Sequence, residues 1–274
     1  MPELPEVETV RRKLVPFIEN RKLSRVEIED SRLTRPELPT NVASRLLNRR
    51  VLQMSRRGKY LVFELDQGLS WIVHLRMTGS FVIKQPKKKI NISHARAILG
   101  LDDGTAIYYR DVRRFGTWAV FGLEESDNFF ASRLGPEPLE KDFDTSWLME
   151  CVNNSRALVK SLLLNQKIVA GIGNIYVGEA LWRAGLHPAR VAGSLGHHEV
   201  SILVKAIEET ISCGIAREGA TLRDYQGPDG SKGTMQEIFD VYGREGKPCG
   251  RCTALIEKIR IAGRSTWFCP ECQV

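Results

Sequence analysis

The chain has 274 residues, of which 42% are apolar, and carries a formal net charge of +7 from 40 basic and 33 acidic residues. The length predicts two domains plus a small module, and the composition excludes wholesale disorder. The acidic N-terminus excludes a secretory signal, and no apolar run reaches about 18 residues, so we expect a cytoplasmic protein. We also expect a monomer. The positive net charge permits a nucleic-acid partner.

The first predicted element is an amphipathic helix. Apolar residues recur at helical spacing at Leu4, Val7, Val10, Leu14, Phe17 and Ile18, which predicts a helix over about residues 5–18. Its apolar stripe would hold the chain start against a core.

The region from Leu23 to Phe121 predicts short strands. The predicted strands are rich in β-branched and aromatic residues. They are Val51–Arg57, Tyr60–Asp66, Leu69–Leu75, Ser80–Lys84, Ala95–Asp102, Thr105–Arg110 and Thr117–Phe121. No long helical pattern separates them, so they predict an antiparallel β-sandwich rather than a parallel βαβ sheet. A short helix is predicted near Asn41–Asn48.

The pattern changes at Gly135–Pro138, which predicts a linker. Helical spacing follows over Trp147–Val152, Ala157–Leu164, Ile175–Ala184 and Val200–Ile215. The predicted fold class is therefore α+β and multidomain. Its parts are a β-sandwich domain with a flanking N-terminal helix (1–133), a linker (134–143), a helical domain (144–240) and a four-cysteine module (241–274).

The first three residues suit covalent catalysis. Methionine ahead of proline is normally removed, which would leave Pro2 as a free secondary amine beside the Glu3 carboxylate. An uncharged amine forms imines with carbonyl carbons, and an adjacent carboxylate moves the protons. The same residues also suit an ordinary helix start, with acidic side chains at its positive end.

The tail carries two cysteine pairs, Cys249-x2-Cys252 and Cys269-x2-Cys272, separated by 16 residues. Each pair places two thiolates on one tight turn, and together they form a closed tetrahedral set typical of structural zinc. A rubredoxin-like iron site and a redox dithiol share these ligands. Cys151 and Cys213 fall in helical patterns and are interpreted as core residues.

Three turn segments combine glycine with polar or basic residues. Gly171–Tyr176 predicts a turn between two helices, with Asn174 capping the second helix near a phosphate. Arg56–Tyr60 and Arg113–Gly116 suit phosphate contacts and a wedge into a base stack. Each segment alone also fits a packing or solvated turn. His94, which opens a strand, is the histidine best placed to contact phosphate.

Taken together, these segments resemble the bacterial formamidopyrimidine-DNA glycosylases. The matching motifs run in order at Pro2–Thr9, Arg57–Tyr60, His74–Gly79, Arg113–Gly116, Leu134–Pro138, Gly171–Tyr176 and the four cysteines. The resemblance implies a DNA-repair glycosylase and abasic-site lyase that flips out and excises 8-oxoguanine and formamidopyrimidines from double-stranded DNA, then cuts by β,δ-elimination. It also implies a helix–two-turns–helix domain and one structural zinc ion per chain.

The resemblance further implies roles for individual residues. Pro2 attacks the sugar C1′ and forms a Schiff base, Glu3 handles protons, and Lys59 is the second essential amine. The zinc-finger arginine, Arg264, completes the catalytic set. The implied DNA contacts are Lys160 and Asn174 on phosphates and Met77, Arg113 and Phe115 in the gap left by the flipped nucleotide.

One segment departs from the family pattern. The lesion-capping loop corresponds to Glu218–Met235, and its usual aromatic pair is here Thr234-Met235. The preferred lesion and opposite base therefore stay open. Two alternatives fit parts of the sequence: an endonuclease VIII-like glycosylase with pyrimidine substrates, and a zinc-ribbon DNA-binding regulator without activity.

Overall fold

The structure, a computed structural model, describes residues 1–84, 92–222 and 226–274. Within these ranges the chain forms two compact units. The first comprises Met1–Ser132 with Glu218–Thr234, and the second comprises Arg133–Arg217 with Met235–Val274. No helix in the described ranges is long and apolar enough to cross a membrane.

The first unit is built on two four-stranded sheets. Its elements are α1 (Leu4–Ile18), β1 (Leu23–Ile28), α2 (Pro39–Leu46), β2 (Val51–Arg57), β3 (Tyr60–Leu65), β4 (Leu69–His74), β5 (Gly79–Lys84), β6 (Ala95–Leu101), β7 (Ala106–Asp111), β8 (Thr117–Gly122) and α3 (Leu123–Ala131). The strand orders are β1-β6-β7-β5 and β2-β3-β4-β8, and neighbouring strands are antiparallel. The predicted antiparallel sandwich is confirmed.

One hydrophobic core joins the two sheets. Phe63 and Trp71 of one sheet stack with ring centroids 4.1 Å apart, and Trp71 meets Phe81 of the other sheet edge-on at 6.5 Å. Buried aromatic rings contribute large apolar areas and dominate such cores. The apolar stripe of α1, from Val7 to Ile18, packs into the same core. The sandwich thereby holds the first helix and the chain start.

The second unit is helical and ends in a β-hairpin. Its elements are α4 (Thr145–Val152), α5 (Val159–Leu163), α6 (Asn174–Ala184), α7 (His197–Ala216), β9 (Glu257–Ile261) and β10 (Arg264–Phe268). The hairpin turns through Ala262 and Gly263, whose φ angles are 47° and 75°. Two successive residues with positive φ give a tight turn whose twist matches that of the flanking strands. With this hairpin, the predicted α+β multidomain class is confirmed.

Helix α3 was not predicted from the sequence. Its Ser, Asp, Asn and Phe residues have modest helix propensity, so no strong local signal marks it. Tertiary packing stabilises the helix despite this weak propensity, because the Phe129 ring centroid lies 5.2 Å from that of Phe121 and 5.6 Å from that of Tyr60. The Glu125 carboxylate also accepts the Gly122 N–H at 2.9 Å at the start of the helix.

The two units divide the chain differently from the predicted domains. Glu218–Thr234, which the prediction placed in the helical domain, groups with the first unit. The predicted linker packs within the second unit, where the Gly135 N–H donates to the Gln166 carbonyl at 2.9 Å. A Cβ at Gly135 would lie 2.1 Å from the Lys167 carbonyl oxygen. This close approach makes the segment an ordered part of the helical unit.

Candidate active site, DNA-binding residues and metal centre

Pro2 and Glu3, which follow the exposed Met1, are buried at the beginning of α1. Glu3 is 3% exposed and forms the N-cap of the helix. The Glu3 N–H donates to the Glu6 carboxylate at 2.8 Å. A helix start leaves its first N–H groups without partners within the helix, and an acidic side chain one turn later satisfies them. This contact holds the Pro2–Glu3 segment in place.

The second oxygen of the Glu6 carboxylate binds a distant segment of the first unit. It accepts the Ala220 N–H at 2.7 Å, and Glu6 is 2% exposed. Gly219 makes room for this contact, since its φ is +79° and a Cβ there would lie 2.6 Å from Glu6 Oε1. Ala220 pairs in turn with Thr234 in an isolated antiparallel bridge. Glu6 thereby connects the chain start with the base of the predicted capping loop.

Glu8, further along α1, is held ionised by three arginines. Its carboxylate accepts hydrogen bonds from Arg11 at 2.8 Å, Arg12 at 2.8 Å and Arg56 at 3.3 Å. Burial raises the pKa of Glu8, but the hydrogen bonds from Arg11 and Arg12 and the neighbouring positive charges outweigh it and lower the pKa to about 2. Because Arg56 lies on β2, the ion pair also joins this strand to the helix.

Lys59 lies in the tight turn between β2 and β3, next to Gly58, whose φ is 56°. On β2, the Met54 N–H donates to the side chain of Glu19, which follows the end of α1, at 2.7 Å. Two residues further along β2, Arg56 binds Glu8, which lies in the first half of α1. Strand β2 therefore runs toward the beginning of α1. Its turn brings Lys59, which is 6% exposed, to the end of the sandwich that holds the chain start.

His74 ends β4 at the same end of the sandwich. Its Nδ1 accepts the Arg76 N–H at 2.9 Å, and its ring meets Tyr60 edge-on at 4.6 Å. Burial lowers the pKa of His74, and the charges of Arg76 and Lys59 lower it further, to about 3. His74 is consequently neutral near pH 7 and serves as a hydrogen-bond acceptor.

The predicted gap-filling residues lie on two adjoining turns that connect the sheets. Met77 is 38% exposed between β4 and β5, and Phe115 is 51% exposed between β7 and β8. The turns are joined because the Thr78 hydroxyl accepts the Arg113 N–H at 3.0 Å. The Arg113 guanidinium lies over the Phe115 ring, 4.9 Å from its centroid. The structure thus brings Met77, Arg113 and Phe115 together, and we call this group the wedge.

His94 lies on the same edge of the first unit. It is exposed just before β6, and its carbonyl accepts the Asp111 N–H at 3.0 Å. Asp111 ends β7, two residues before Arg113, so His94 and the wedge occupy neighbouring turns.

In the second unit, Lys160 and Asn174 meet at the β9–β10 hairpin. The Lys160 ammonium donates to the Thr266 hydroxyl at 2.8 Å, and the Asn174 amide donates to the Ser265 carbonyl at 3.1 Å. Arg264 immediately precedes these two acceptors and is exposed at the hairpin turn. The structure therefore brings together Lys160, Asn174 and Arg264.

Two details differ from the sequence-based expectations. Lys160 is 1% exposed, so its long side chain is buried behind the hairpin. The predicted capping role of Asn174 is wrong, because Gly173 is the N-cap of α6 and Asn174 is its first helical residue. The Asn174 side chain contacts the hairpin instead. Its buried Oδ1 accepts no hydrogen bond from any residue in the described ranges.

The four tail cysteines form one cluster, with their sulfur atoms within 4.8 Å of one another. Cys249 and Cys272 have sulfurs 3.9 Å apart, and the sulfurs of Cys252 and Cys269 are 3.4 Å apart. Tetrahedral zinc with sulfur ligands at about 2.3 Å places its ligands about 3.8 Å apart, so this set fits zinc. Four thiolates fill the coordination sphere and leave no position for a catalytic water.

Neighbouring N–H groups support the thiolates. Cys249 Sγ accepts from the Trp182 indole and the Arg251 N–H, both at 3.4 Å. Such hydrogen bonds orient metal ligands and favour their charged form. Arg251 stacks over Trp182 at 3.9 Å, which docks this cysteine turn on α6. Cys151 and Cys213 are half-buried free cysteines outside the cluster.

Residues 223–225 of the predicted capping loop lie outside the described residues. At the base of the loop, Lys13 forms ion pairs with Glu218 at 2.7 Å and Asp229 at 3.3 Å. The Pro228 carbonyl accepts the Ile83 N–H at 3.1 Å. Met235, the second residue in place of the usual aromatic pair, is 1% exposed.

Several buried carboxylates escaped prediction from the sequence, among them Glu6, Asp111 and Glu179. Glu179 on α6 accepts three successive backbone N–H groups at 2.7–3.1 Å, from residues 240–242. Glu6 had a local signal, since it follows Glu3 at capping-box spacing. Asp111 and Glu179 had none, because an acidic residue in a turn or helix usually faces solvent.

Family models match the chain in three consecutive parts. Residues 1–118 match the formamidopyrimidine-DNA glycosylase N-terminal domain, residues 134–226 match the H2TH domain of the same enzymes, and residues 246–274 match a zinc finger found in FPG and IleRS. Together with the fold and the cysteine cluster, these matches define a DNA glycosylase with a zinc finger. The regulator alternative is not supported, because the catalytic domain is matched as well.

Relatives in several bacteria match over the whole chain. Formamidopyrimidine-DNA glycosylases of Cereibacter sphaeroides and Geobacillus kaustophilus are each 42% identical, with 100% of both chains covered. The Lactococcus lactis Fpg solved with DNA containing an abasic site has a TM-score of 0.92, 37% identity and 99% coverage of both chains. A Lactococcus lactis variant bound to Fapy-dG DNA matches with a TM-score of 0.92 and 38% identity over 99% of both chains. The chain belongs to the formamidopyrimidine-DNA glycosylase family.

Proposed function

We propose that this protein excises oxidised and ring-opened purines from double-stranded DNA in the bacterial cytoplasm and then cuts the abasic site. The observation that carries this proposal is the buried chain start, where Pro2 and Glu3 are held at the end of the sandwich that also carries Lys59. An inactive DNA-binding protein has no need of a fixed, acid-flanked proline. The abasic-site and Fapy-dG ligands of the Lactococcus lactis relatives support the same substrates here.

The reaction begins after removal of Met1 frees the Pro2 nitrogen. The uncharged amine attacks C1′, the bond from C1′ to the base breaks, and the base leaves with the electron pair and a proton. Glu3 then gives a proton to the ring oxygen O4′ as the C1′–O4′ bond breaks, and the nitrogen's electron pair completes the C1′=N bond of the Schiff base. An α-amine has a reference pKa of about 7.7–8.0 against about 10.4 for lysine, so a larger fraction is uncharged at neutral pH.

The Schiff base that results makes the C2′ hydrogen acidic. Loss of that proton expels the 3′ phosphate, and a second elimination expels the 5′ phosphate. Water then hydrolyses the Schiff base and restores the Pro2 amine. Lys59 supplies the second amine at this end of the sandwich.

The remaining residues bind and deform the duplex. The wedge fills the gap left by the flipped nucleotide, since a base within the stack is out of reach of a nucleophile. His94, Asn174 and Arg264 contact phosphates, which position the DNA without reading its sequence. Lys160, which is buried, supports the β9–β10 hairpin through the Thr266 hydroxyl. Bound zinc supplies folding energy to the finger that carries Arg264. These roles assign catalysis, the wedge and the His94 contact to a domain spanning 1–133, and the other DNA contacts to the helical domain (144–240) and the finger.

Borohydride trapping on abasic DNA tests the central step. A short peptide left uncleaved ahead of Pro2 should abolish trapping, base release and strand cutting, because an amide nitrogen has no available lone pair. The same peptide at the C-terminus is the matched control and should leave all three intact. Mass spectrometry should place the adduct on the Pro2 nitrogen. An adduct confined to Lys59 would contradict the proposal.

Duplexes with different lesions test the substrate class. We expect 8-oxoguanine and formamidopyrimidine to be released faster than oxidised pyrimidines from otherwise identical duplexes. Faster release of the pyrimidines would instead favour the endonuclease VIII-like specificity.

A further inference from the structure

Asp111, the last residue of β7, is a buried carboxylate at the base of both wedge turns, with 1% exposure. Its Oδ1 accepts hydrogen bonds from the Thr78 hydroxyl and from the Arg113 N–H, the latter at 3.2 Å. Its Oδ2 accepts the Gly116 N–H at 2.8 Å. One carboxylate therefore holds both ends of the Arg113–Gly116 turn and the turn that carries Met77.

This arrangement requires two accepting oxygens, which a carboxylate has and an amide lacks. Both oxygens of a carboxylate only accept hydrogen bonds, whereas an asparagine side chain has one accepting oxygen and one donating nitrogen. Asparagine at position 111 would turn its donor toward Gly116 N–H or toward the Thr78 and Arg113 donors. The Thr78 hydroxyl can rotate and accept from the asparagine nitrogen, but at least one of the Arg113 and Gly116 N–H groups would lose its acceptor on residue 111.

The surroundings restrict the turn further. A Cβ at Gly116 would lie 1.8 Å from the Tyr109 hydroxyl oxygen, so the turn packs directly on a buried ring. Arg114 adopts a φ of 58°, and its guanidinium binds the Asp30 carboxylate at 2.5 and 2.8 Å. The turn is thus anchored on two sides while Phe115 remains outside.

We infer that Asp111 is a positioning residue that pre-forms the wedge for insertion into the base stack, an inference that rests on the proposed function. Insertion requires unstacking of neighbouring bases. A turn that is already ordered loses less conformational freedom on binding than a loose one. Asp111 is itself too buried to contact DNA, so it acts through Met77, Arg113 and Phe115.

Asp111→Asn tests this inference with two substrates. Excision of 8-oxoguanine from a duplex should slow by about tenfold or more, because the wedge must enter the stack, whereas β-elimination at an abasic site in single-stranded DNA should change less than about twofold. Asp103→Asn is the matched control, since Asp103 accepts a turn N–H from Thr105 at 2.9 Å at another turn of the same sheet. It should change neither rate.

A double-mutant cycle with Phe115→Ala identifies the route of the effect. If Asp111 acts through the wedge, Asp111→Asn should add little to the loss already caused by Phe115→Ala. Additive losses, or equal losses on both substrates, would overturn the positioning role. Normal duplex excision by Phe115→Ala alone would instead contradict the wedge in the proposed function.

Thr78→Val covers the case in which Asp111→Asn fails to fold. It removes only the hydroxyl that bridges the two turns and should give the same selective loss on duplex DNA, with a thermal unfolding midpoint close to that of the wild type. Equal losses of rate on the duplex and single-stranded substrates in this folded variant would also count against the inference.

Discussion

The Ala220 N–H donates to the Glu6 carboxylate at 2.7 Å, although the two residues are 214 positions apart in the chain. The same carboxylate accepts the Glu3 N–H at 2.8 Å. One buried side chain therefore joins Glu3, next to the proposed nucleophile Pro2, to the base of the predicted capping loop. A disturbance at this loop base should reach the chain start through Glu6.

Gly219→Ala should destabilise the first unit and slow base excision. The new Cβ would lie 2.6 Å from Glu6 Oε1, on a residue with φ of +79°. Backbone strain and overpacking together should lower the free energy of unfolding by about 2–4 kcal/mol. Thermal unfolding and the excision rate on an 8-oxoguanine duplex measure the two effects.

Gly68→Ala, in the turn between β3 and β4, is the matched control for this prediction. Its φ is +69°, and a Cβ there meets only Leu123 Cδ1, at an ordinary contact distance of 4.0 Å. We expect a loss of about 1 kcal/mol from backbone strain alone and an unchanged excision rate. If both variants lose the same stability and activity, the Glu6 contact does not explain the effect.

The Glu8 ion pairs predict a specific pH dependence of stability. In the folded protein the pKa of Glu8 falls from 4.5 to about 2. A group with a lowered folded pKa stabilises the fold fully above its unfolded pKa, and this contribution is lost as the pH falls from 4.5 toward 2. Glu8→Gln should therefore cost about 1–3 kcal/mol at pH 7, allowing for solvent screening.

Urea unfolding of the wild type and Glu8→Gln across this pH range checks the prediction. The difference in unfolding free energy should shrink between pH 4.5 and 2. Glu27→Gln, which breaks an exposed pair with Arg25, is the control and should show little difference at any pH. If the difference in unfolding free energy between the wild type and Glu8→Gln stays constant down to pH 2, the lost stability comes from packing rather than from the ion pairs.

The cysteine cluster predicts one zinc ion per chain. Cys269→Ser should lose the metal and weaken DNA binding, because a module with little core depends on metal for folding. Cys213→Ser, at a half-buried cysteine outside the cluster, should retain both. Metal analysis and binding to an uncleavable abasic-site analogue measure these outcomes. Iron in place of zinc, or normal binding by metal-free Cys269→Ser, would contradict the assignment.

Arg264→Ala should weaken DNA binding in a salt-dependent way. Arg264 is exposed at the hairpin turn, and loss of one phosphate contact should reduce the slope of log K against log salt by about 1. Arg260, exposed on the paired strand opposite Ser265, is the control, and Arg260→Ala should leave the slope unchanged. A slope for Arg264→Ala equal to that of the wild type would show that Arg264 does not neutralise a phosphate.

Several features were determined by the sequence itself. The apolar period predicted α1 over about residues 5–18, and the structure places the helix at Leu4–Ile18. Alternating patterns and turn residues marked the sandwich, and the spacing of Cys249, Cys252, Cys269 and Cys272 predicted the cluster. These features can be predicted from the sequence because the helical period, the strand alternation and the spacing of metal ligands depend on residues that are close in the chain.

Other features were decided only by the tertiary structure. Glu6 and Ala220 meet although no local pattern relates them, and Asp111 gains its partner Thr78 from another connection between the sheets. Asn174 contacts the hairpin instead of capping its own helix. In each case a buried polar group takes whichever partner the packed chain brings within reach, since leaving it unsatisfied costs about 1–3 kcal/mol. That partner lies far away in sequence, so it becomes visible only when the sheets and helices are packed together.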